Sequence, residues 1–203
     1  VTVTLGGDFG KSTPPAESAL RFYTEFSNPI KTVYSWNRSL PQDRQAFLSG
    51  DLALYFGFGS ELPFLKAANP NLNFDIAAFP QPSGARSKVT YGSMHAFVIP
   101  KASQNVGGAF STALVLSSQE ALTALGQASA FVPVRRSMLR EDPKDSARSM
   151  IYESALITRS WLDPNPDVSA GIFEEMIESV TSGRSRLEQA VSTARTQLEN
   201  LLK

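Results

Sequence analysis

The 203-residue sequence contains no cysteine and a single histidine, His95. Without cysteine the chain forms no disulfide, offers no thiolate nucleophile and builds no zinc–thiolate site. A histidine-based metal cluster or a Ser–His–Asp triad would need more histidines or different neighbours, so we expect a structural role for His95. The lack of cysteine also suits an oxidising compartment, where stray thiols are a liability.

Neither sign of charge is in excess, because 19 basic residues balance 19 acidic ones. A chain without a basic surplus is a poor candidate for binding nucleic acid or an anionic membrane. Apolar runs such as 109–116 are far shorter than the roughly 20 residues that span a bilayer. The composition therefore predicts a soluble globular chain. Because the sequence starts at Val1 without a signal peptide, we expect that a leader was removed or that a longer protein continues in front.

Hydrophobic periodicity predicts strands interleaved with helices, which is typical of an α/β fold. The predicted strands cover 1–5, 51–58, 74–79 and 94–99. One helix is predicted after Thr13-Pro14-Pro15, and others cover 43–48, 61–68, 105–116 and most of 138–157. A further helix carries the apolar stripe 172–180 and is closed by Gly183. Two more follow the capping-box patterns Ser117-x-x-Glu120 and Ser185-x-x-Glu188. A break is expected at Asp142-Pro143, and no internal repeat is visible.

Motifs of catalysis and cofactor binding are scarce. No G-x-S-x-G elbow, Walker loop or G-x-G-x-x-G occurs, and Gly57-Phe58-Gly59 lacks the third glycine of a dinucleotide site. We therefore expect no cofactor and no catalytic residue. A hydrolase with paired carboxylates stays open as an alternative, because sequence alone does not place acidic residues in space.

One acidic loop partly matches a calcium-binding loop. Its ligand candidates are Asp163, Asn165, Asp167 and Glu174, with Ser169. Val168, however, occupies the position where such a loop needs a turn glycine, and two prolines stiffen its start. The favoured interpretation is that Asn165 or Asp167 caps the following helix. We expect no metal site and keep this loop as the weak candidate.

Aromatic residues lie beside turn signals at several points of the chain: Tyr34, Trp36, Phe58, Tyr91 and Trp161. A flat aromatic side chain can bury the apolar face of a sugar ring, while neighbouring polar groups take the hydroxyls. Ser35, Asn37 and Ser93 are polar groups of that kind. Core packing is the alternative for any one of these aromatics.

Several blocks of the chain resemble, in the same order, the C-terminal half of family 1 extracellular solute-binding proteins, the sugar-binding components of ABC transporters. They cover about 17–202 and include AFLSGDLAL at 46–54, the strand pattern at 75–82, the stretch 91–101 with the helix that ends at 117–120, PVRRS at 133–137, and 176–184 with the terminal helix.

The resemblance implies a two-lobed α/β fold of the type II periplasmic-binding-protein class. Residues 1–90 and 132–203 would form the second lobe, and 91–131 would cross over into a first lobe whose remainder is absent here. The crossings would lie at 91–93 and 131–134, and closure about them would trap the solute. The apolar face of the crossover, with Phe110, Leu114 and Leu122, would then need another cover, such as a second copy of the chain.

The same resemblance implies a protein that binds a carbohydrate without chemistry and passes it to a membrane permease. It implies a periplasmic or lipid-anchored extracytoplasmic location. The expected ligand contacts are Trp36, Phe58, Tyr91, Ser93 and Trp161, with the aromatics stacking on the solute and Ser93 donating or accepting a hydrogen bond. Two alternatives remain: the paired-carboxylate glycoside hydrolase, and an assembly domain that binds no small ligand.

Overall fold

The computed structural model describes Val3, Leu5 and the ranges 14–129, 131–140 and 145–203. Its elements along the chain are α1 (Pro15–Glu25), α2 (Asp43–Leu48), α3 (Leu62–Ala68), β1 (Thr90–Tyr91), α4 (Val106–Leu116), α5 (Gln119–Ala128), α6 (Ser146–Leu156), β2 (Thr158–Arg159), α7 (Pro166–Thr181) and α8 (Leu187–Leu201). Two short 3₁₀ helices lie at Gly59–Glu61 and Met138–Arg140. Within the described ranges, no helix is both long enough and apolar enough to cross a bilayer.

The chain divides into two compact units. The terminal unit consists of residues 1–41 and 161–203, and the central unit consists of residues 42–160. The terminal unit therefore contains α1, α7 and α8, whereas the central unit contains both strands and the other helices.

Helices α1, α7 and α8 of the terminal unit pack on one another. Their core contains Ile172 from α7 together with Ala194 and Leu198 from α8, and all three side chains are buried. Ala194 and Leu198 are four residues apart, so they lie on the same face of α8 and meet the apolar stripe of α7. Phe173 and Met176 pack against this cluster from its edge. The apolar stripe predicted at 172–180 thus packs against α8 in one core.

Gly183 ends α7 as predicted. Its φ of +73° lies in the left-handed region, and its N–H donates to the Val180 carbonyl over 3.1 Å. Glycine adopts this conformation without the steric penalty of a Cβ atom. The capping box predicted at Ser185 is wrong, because α8 begins one residue later, after Arg186, and has no side-chain cap.

The capping box predicted from Ser117 is likewise shifted by one residue. Ser118 caps α5, its hydroxyl accepting from the Ala121 N–H over 3.2 Å, and α5 continues past Gly126 to Ala128. A backbone hydrogen bond at this helix start lowers the pKa of Glu120, and a hydrogen bond from the Ser118 hydroxyl lowers it further.

The Ser117 carbonyl accepts hydrogen bonds from the Arg135 guanidinium, from Nε over 3.1 Å and from Nη2 over 2.8 Å.

The central unit contains a short parallel ladder between β1 and β2, in the register Thr90–Thr158 and Tyr91–Arg159. The strands predicted at 51–58, 74–79 and 94–99 are not assigned as strands, since the described backbone forms no ladder there. Side chains nevertheless join two of these segments, because the Phe56 and Phe79 rings lie 5.4 Å apart between centroids. Of the segment 1–5, only Val3 and Leu5 are described.

Candidate functional site

The five predicted ligand contacts fall in both units. Trp36 and Trp161 belong to the terminal unit, whereas Phe58, Tyr91 and Ser93 belong to the central unit. Within the central unit the structure brings Phe58 and Tyr91 together, with ring centroids 6.1 Å apart and planes inclined by 61°. The two side chains are 50% and 58% exposed, so each ring keeps a large open surface. An edge-to-face pair with open faces can accept a further flat apolar surface.

The position of Phe58 is fixed by the carboxylate of Glu61, at the end of the 3₁₀ helix. Glu61 Oε2 accepts the Phe58 N–H over 2.9 Å, and its two oxygens accept the Tyr55 hydroxyl over 3.1 and 3.2 Å. The Arg44 guanidinium pairs with the same carboxylate and lies 5.4 Å from the centroid of the Phe64 ring. The Glu61 side chain thus connects Arg44 of α2 and the segment from Tyr55 to Phe58 with the start of α3.

Burial raises the pKa of the Tyr55 phenol, and the negative charge of Glu61 adds to the rise. A phenol donates its O–H hydrogen bond only while it is protonated. Since the folded-state pKa lies above the ordinary value of about 10, the bond to Glu61 is fully present below that pH. It is lost as the pH rises through the raised pKa, so physiological pH leaves it intact.

Tyr91 is positioned by the parallel ladder. The Thr90 N–H donates to the Ile157 carbonyl over 3.2 Å, and the Gly92 N–H donates to the Arg159 carbonyl over 3.3 Å. A Cβ atom at Gly92 would lie 2.6 Å from Thr158 Cγ2, so a larger residue there would displace the Thr158 side chain. Ser93 is the residue after Gly92, lies outside the ladder and is exposed.

A cavity of about 220 Å³ in the central unit has Gly59, the residue after Phe58, in its lining. Phe131 and Tyr152 provide aromatic surface in it, and Lys66, Asp145 and Arg148 provide charge. The sequence analysis missed this cavity, because its charged residues come from α3 and from the start of α6, far apart in the chain. The His95 ring meets the Phe131 ring edge-to-face, with centroids 5.3 Å apart.

Among the described residues that line this cavity, the single carboxylate is Asp145. It caps α6, accepting the Ala147 N–H over 3.1 Å. A glycosidase needs two carboxyl groups about 5–10 Å apart on either side of the scissile bond. The described lining provides no such pair.

The acidic loop before α7 forms a helix cap. Asn165 accepts the Val168 N–H over 3.4 Å, as the favoured interpretation predicted. Asp163 Oδ1 accepts the Ser169 hydroxyl over 2.7 Å and the Asn165 N–H over 3.1 Å. No group of three or more acidic or histidine side chains that could hold a metal ion occurs in the part of the chain that the structure describes. The remaining two calcium candidates, Asp167 and Glu174, are exposed on α7.

Trp36 lies in the loop that follows α1. Its backbone N–H donates to the Phe26 carbonyl over 3.3 Å, and its side chain is half-buried. Arg38, two residues later, forms an ion pair with Glu178 of α7 and so ties this loop to the helical core. Trp161 precedes the α7 cap and is 39% exposed.

Comparison with known proteins agrees with this architecture. Residues 2–150 match the family described as bacterial extracellular solute-binding protein. The crystal structure of a putative oligosaccharide periplasmic-binding protein from Synechococcus sp. MITs9220 is similar, with a TM-score of 0.62 and 18% sequence identity. The similarity covers 93% of this chain and 52% of that one, so this chain spans about half the length of the solved protein. No functionally curated protein matches.

The structural similarity supports the predicted periplasmic-binding-protein fold class, at an identity that carries information about fold alone. The family match covers well over half of the chain and confirms the resemblance inferred from the ordered sequence blocks. This chain therefore belongs to the bacterial extracellular solute-binding protein family.

Proposed function

We propose that this chain binds a carbohydrate as part of an extracytoplasmic solute-binding protein, and delivers it to the permease of an ABC importer without transforming it. Its family is extracellular, and its structural neighbour is described as an oligosaccharide-binding protein. A periplasmic or lipid-anchored location belongs to the same proposal. The ligand contacts proposed are Phe58, Tyr91 and Ser93 of the central unit, with Trp36 and Trp161 of the terminal unit.

The observation that carries the proposal is the pairing of Phe58 with Tyr91. Half-exposed aromatic rings 6.1 Å apart form an apolar platform that the protein itself leaves uncovered. Sugars offer apolar ring faces surrounded by hydroxyls, and such faces stack on aromatic side chains. The neighbouring cavity, with Lys66, Asp145 and Arg148 on its wall, adds groups that can hydrogen-bond to hydroxyls.

Replacing Tyr91 with alanine is expected to weaken binding of maltotriose or cellotriose about tenfold, because one stacking surface worth ~1 kcal/mol or somewhat more is removed. Isothermal titration calorimetry of the 203-residue chain measures this change. Phe22→Ala is the matched control, since Phe22 is also an exposed aromatic, 66% accessible, but belongs to the terminal unit and packs on Phe26. An unchanged affinity in Tyr91→Ala would remove the aromatic pair from the site.

A glycoside hydrolase with paired carboxylates is the alternative, and five of the described carboxylates are already engaged within the protein. Glu61, Glu175 and Glu178 are ion-paired, while Asp145 and Asp163 are used in helix caps. A binding protein returns the saccharide unchanged, so chromatography of the calorimetry samples separates the two functions. Release of shorter sugars would favour the hydrolase.

The proposed lobe division assigns 1–90 and 132–203 to one lobe and 91–131 to a crossover into the other. The crossover contains α4, which has no buried residue and carries five large apolar side chains that are at least 45% exposed: Val106, Phe110, Leu114, Val115 and Leu116. Leu122 on α5 is half-buried instead. An apolar helix surface of this kind favours a protein cover over contact with water.

An assembly role is the second candidate function, and the exposed surface of α4 is the observation that favours it. If a second copy covers α4, the chain is expected to elute as a dimer at micromolar concentration, and Phe110→Ser with Leu114→Ser is expected to return it to a monomer. Size-exclusion chromatography with light scattering measures both masses. The control is Leu54→Ser, because Leu54 is 78% exposed in the same unit but lies outside α4. A monomeric wild-type chain would contradict this candidate.

A further inference from the structure

The Glu61 carboxylate makes further hydrogen bonds within the central unit besides its ion pair with Arg44. Its side chain is only 18% exposed, whereas that of Arg44 is 50% exposed. Its carboxylate accepts hydrogen bonds from three different groups, namely the Phe58 backbone, the Tyr55 phenol and the Arg44 guanidinium. A carboxylate saturated in this way defines where its donors lie, because each donor would have to give up a charge-assisted bond in order to move.

The Glu61 carboxylate and the Tyr55 ring lie against Gly57, the residue before Phe58. A Cβ atom at Gly57 would lie 2.5 Å from Glu61 Oε2 and 2.6 Å from Tyr55 Cε1. The backbone therefore runs directly against the carboxylate and the phenol ring, and a larger residue at position 57 would displace them. On the other side of Phe58, a Cβ atom at Gly59 would lie 2.9 Å from Ile151 Cγ1 on α6. Phe58 is thus held between two close backbone approaches, while its own ring remains half-exposed.

We propose that Glu61 is a positioning residue of the solute site. Its carboxylate holds the Phe58 N–H, and this bond fixes the backbone that carries the exposed Phe58 ring beside Tyr91 before the solute arrives. The inference rests on the proposed function, since it needs Phe58 to contact the solute. A platform whose backbone is fixed in advance binds more tightly because this segment loses less conformational freedom on binding.

Two substitutions separate this role from general structural support. Glu61→Ala removes the acceptor for all three donors, so the Phe58 amide is expected to exchange with solvent at least tenfold faster. Glu61→Gln keeps one acceptor oxygen and the side-chain shape, so most of the protection is expected to return. Amide hydrogen exchange followed by NMR at Phe58 reads this bond directly. The Leu122 amide on α5 serves as the internal reference for the rest of the unit.

The same variants are then titrated with maltotriose and cellotriose by calorimetry. We expect Glu61→Ala to weaken binding about tenfold and Glu61→Gln to restore it to within about threefold of the wild-type chain. Glu153→Ala is the matched control, because Glu153 is an exposed glutamate on α6 of the same unit and forms no ion pair among the described residues.

The outcomes are distinguishable. Unchanged exchange at Phe58 in Glu61→Ala would overturn the hydrogen-bonded fixation itself. Faster exchange with unchanged saccharide affinity would overturn the positioning role and leave the proposed function standing. A wild-type chain that binds neither saccharide would overturn the proposed carbohydrate function, and the positioning role with it. Faster exchange together with weaker binding, both recovered in Glu61→Gln, is the result that supports the proposal.

Discussion

Replacing Leu198 with alanine is expected to lower the free energy of unfolding of the terminal unit by about 3 kcal/mol. Leu198 is 2% exposed and packs with Ile172 and Ala194 at the meeting of α7 and α8. Truncation removes the transfer free energy of the buried side chain and leaves a cavity in a small core that has few other side chains to fill it. Because the described part of this unit buries only a few apolar side chains, namely Leu20, Ile172, Ala190, Ala194 and Leu198, the loss is a large part of the whole.

Tryptophan fluorescence in a urea titration measures this effect selectively. Both tryptophans of the chain, Trp36 and Trp161, belong to the terminal unit, so their emission reports on that unit rather than on the central one. Leu162→Ala is the matched control, because Leu162 is 93% exposed in the same unit and is expected to change the unfolding midpoint little. Equal midpoints for the two variants would show that Leu198 is not part of the core.

The helices of this protein could be predicted from the sequence because each carries its own signal. The stripe from Ile172 to Val180 and the glycine at 183 fixed α7 and its end, and α2 was predicted at its observed bounds. Both features are local, since apolar periodicity and a left-handed glycine act within a few residues. The capping boxes were misplaced by one residue at each of two helix starts. At α5 the adjacent Ser117 and Ser118 offer two equivalent registers. At α8 the helix begins after Arg186 without a side-chain cap, and local cap preference does not explain this start.

The strands could not be predicted in the same way, because a strand exists only through its partner. The segments 51–58 and 74–79 have strand-like composition, yet they meet through side chains such as Phe56 and Phe79 rather than through a ladder. Conversely, β1 and β2 are two residues each and carry no periodic signal, although they pair across more than 60 residues of chain. Local sequence contains no information on such pairing.

The candidate site was predictable only in part. Phe58 and Tyr91 were predicted because they are aromatic residues beside turn glycines, and the fold brings their rings into contact. Glu61 was missed because nothing in its neighbourhood marks it. Arg44 and Tyr55, which lie 17 and 6 residues away in the chain, contact its carboxylate in three dimensions. Aromatic residues beside turns can be recognised in the sequence, whereas a polar side chain that contacts their backbone cannot.

Replacing Asp163 with alanine is expected to cost about 2 kcal/mol of terminal-unit stability. Asp163 Oδ1 is the acceptor for the Ser169 hydroxyl, and Ser169 is 2% exposed inside the first turns of α7. The substitution leaves that buried hydroxyl without its charged partner and also frees the Asn165 N–H. Asp167→Ala is the control, since Asp167 lies in the same first turn of α7 but is exposed. Tryptophan fluorescence in urea again provides the measurement.

A double-mutant cycle with Ser169→Ala then tests whether the cost comes from the pair. Removing both partners is expected to cost at least 1 kcal/mol less than the sum of the two single substitutions, because neither group is left buried and unsatisfied. Strict additivity would mean that Asp163 acts through something other than Ser169. The same urea titrations are repeated in millimolar calcium. If this loop bound calcium, the ion would raise the unfolding midpoint of the wild-type chain by mass action but would not raise that of Asp163→Ala. A helix cap gives the same midpoint with and without the ion, because Asp163 Oδ1 and Asn165 Oδ1 already accept hydrogen bonds from the start of α7 and the residues before it.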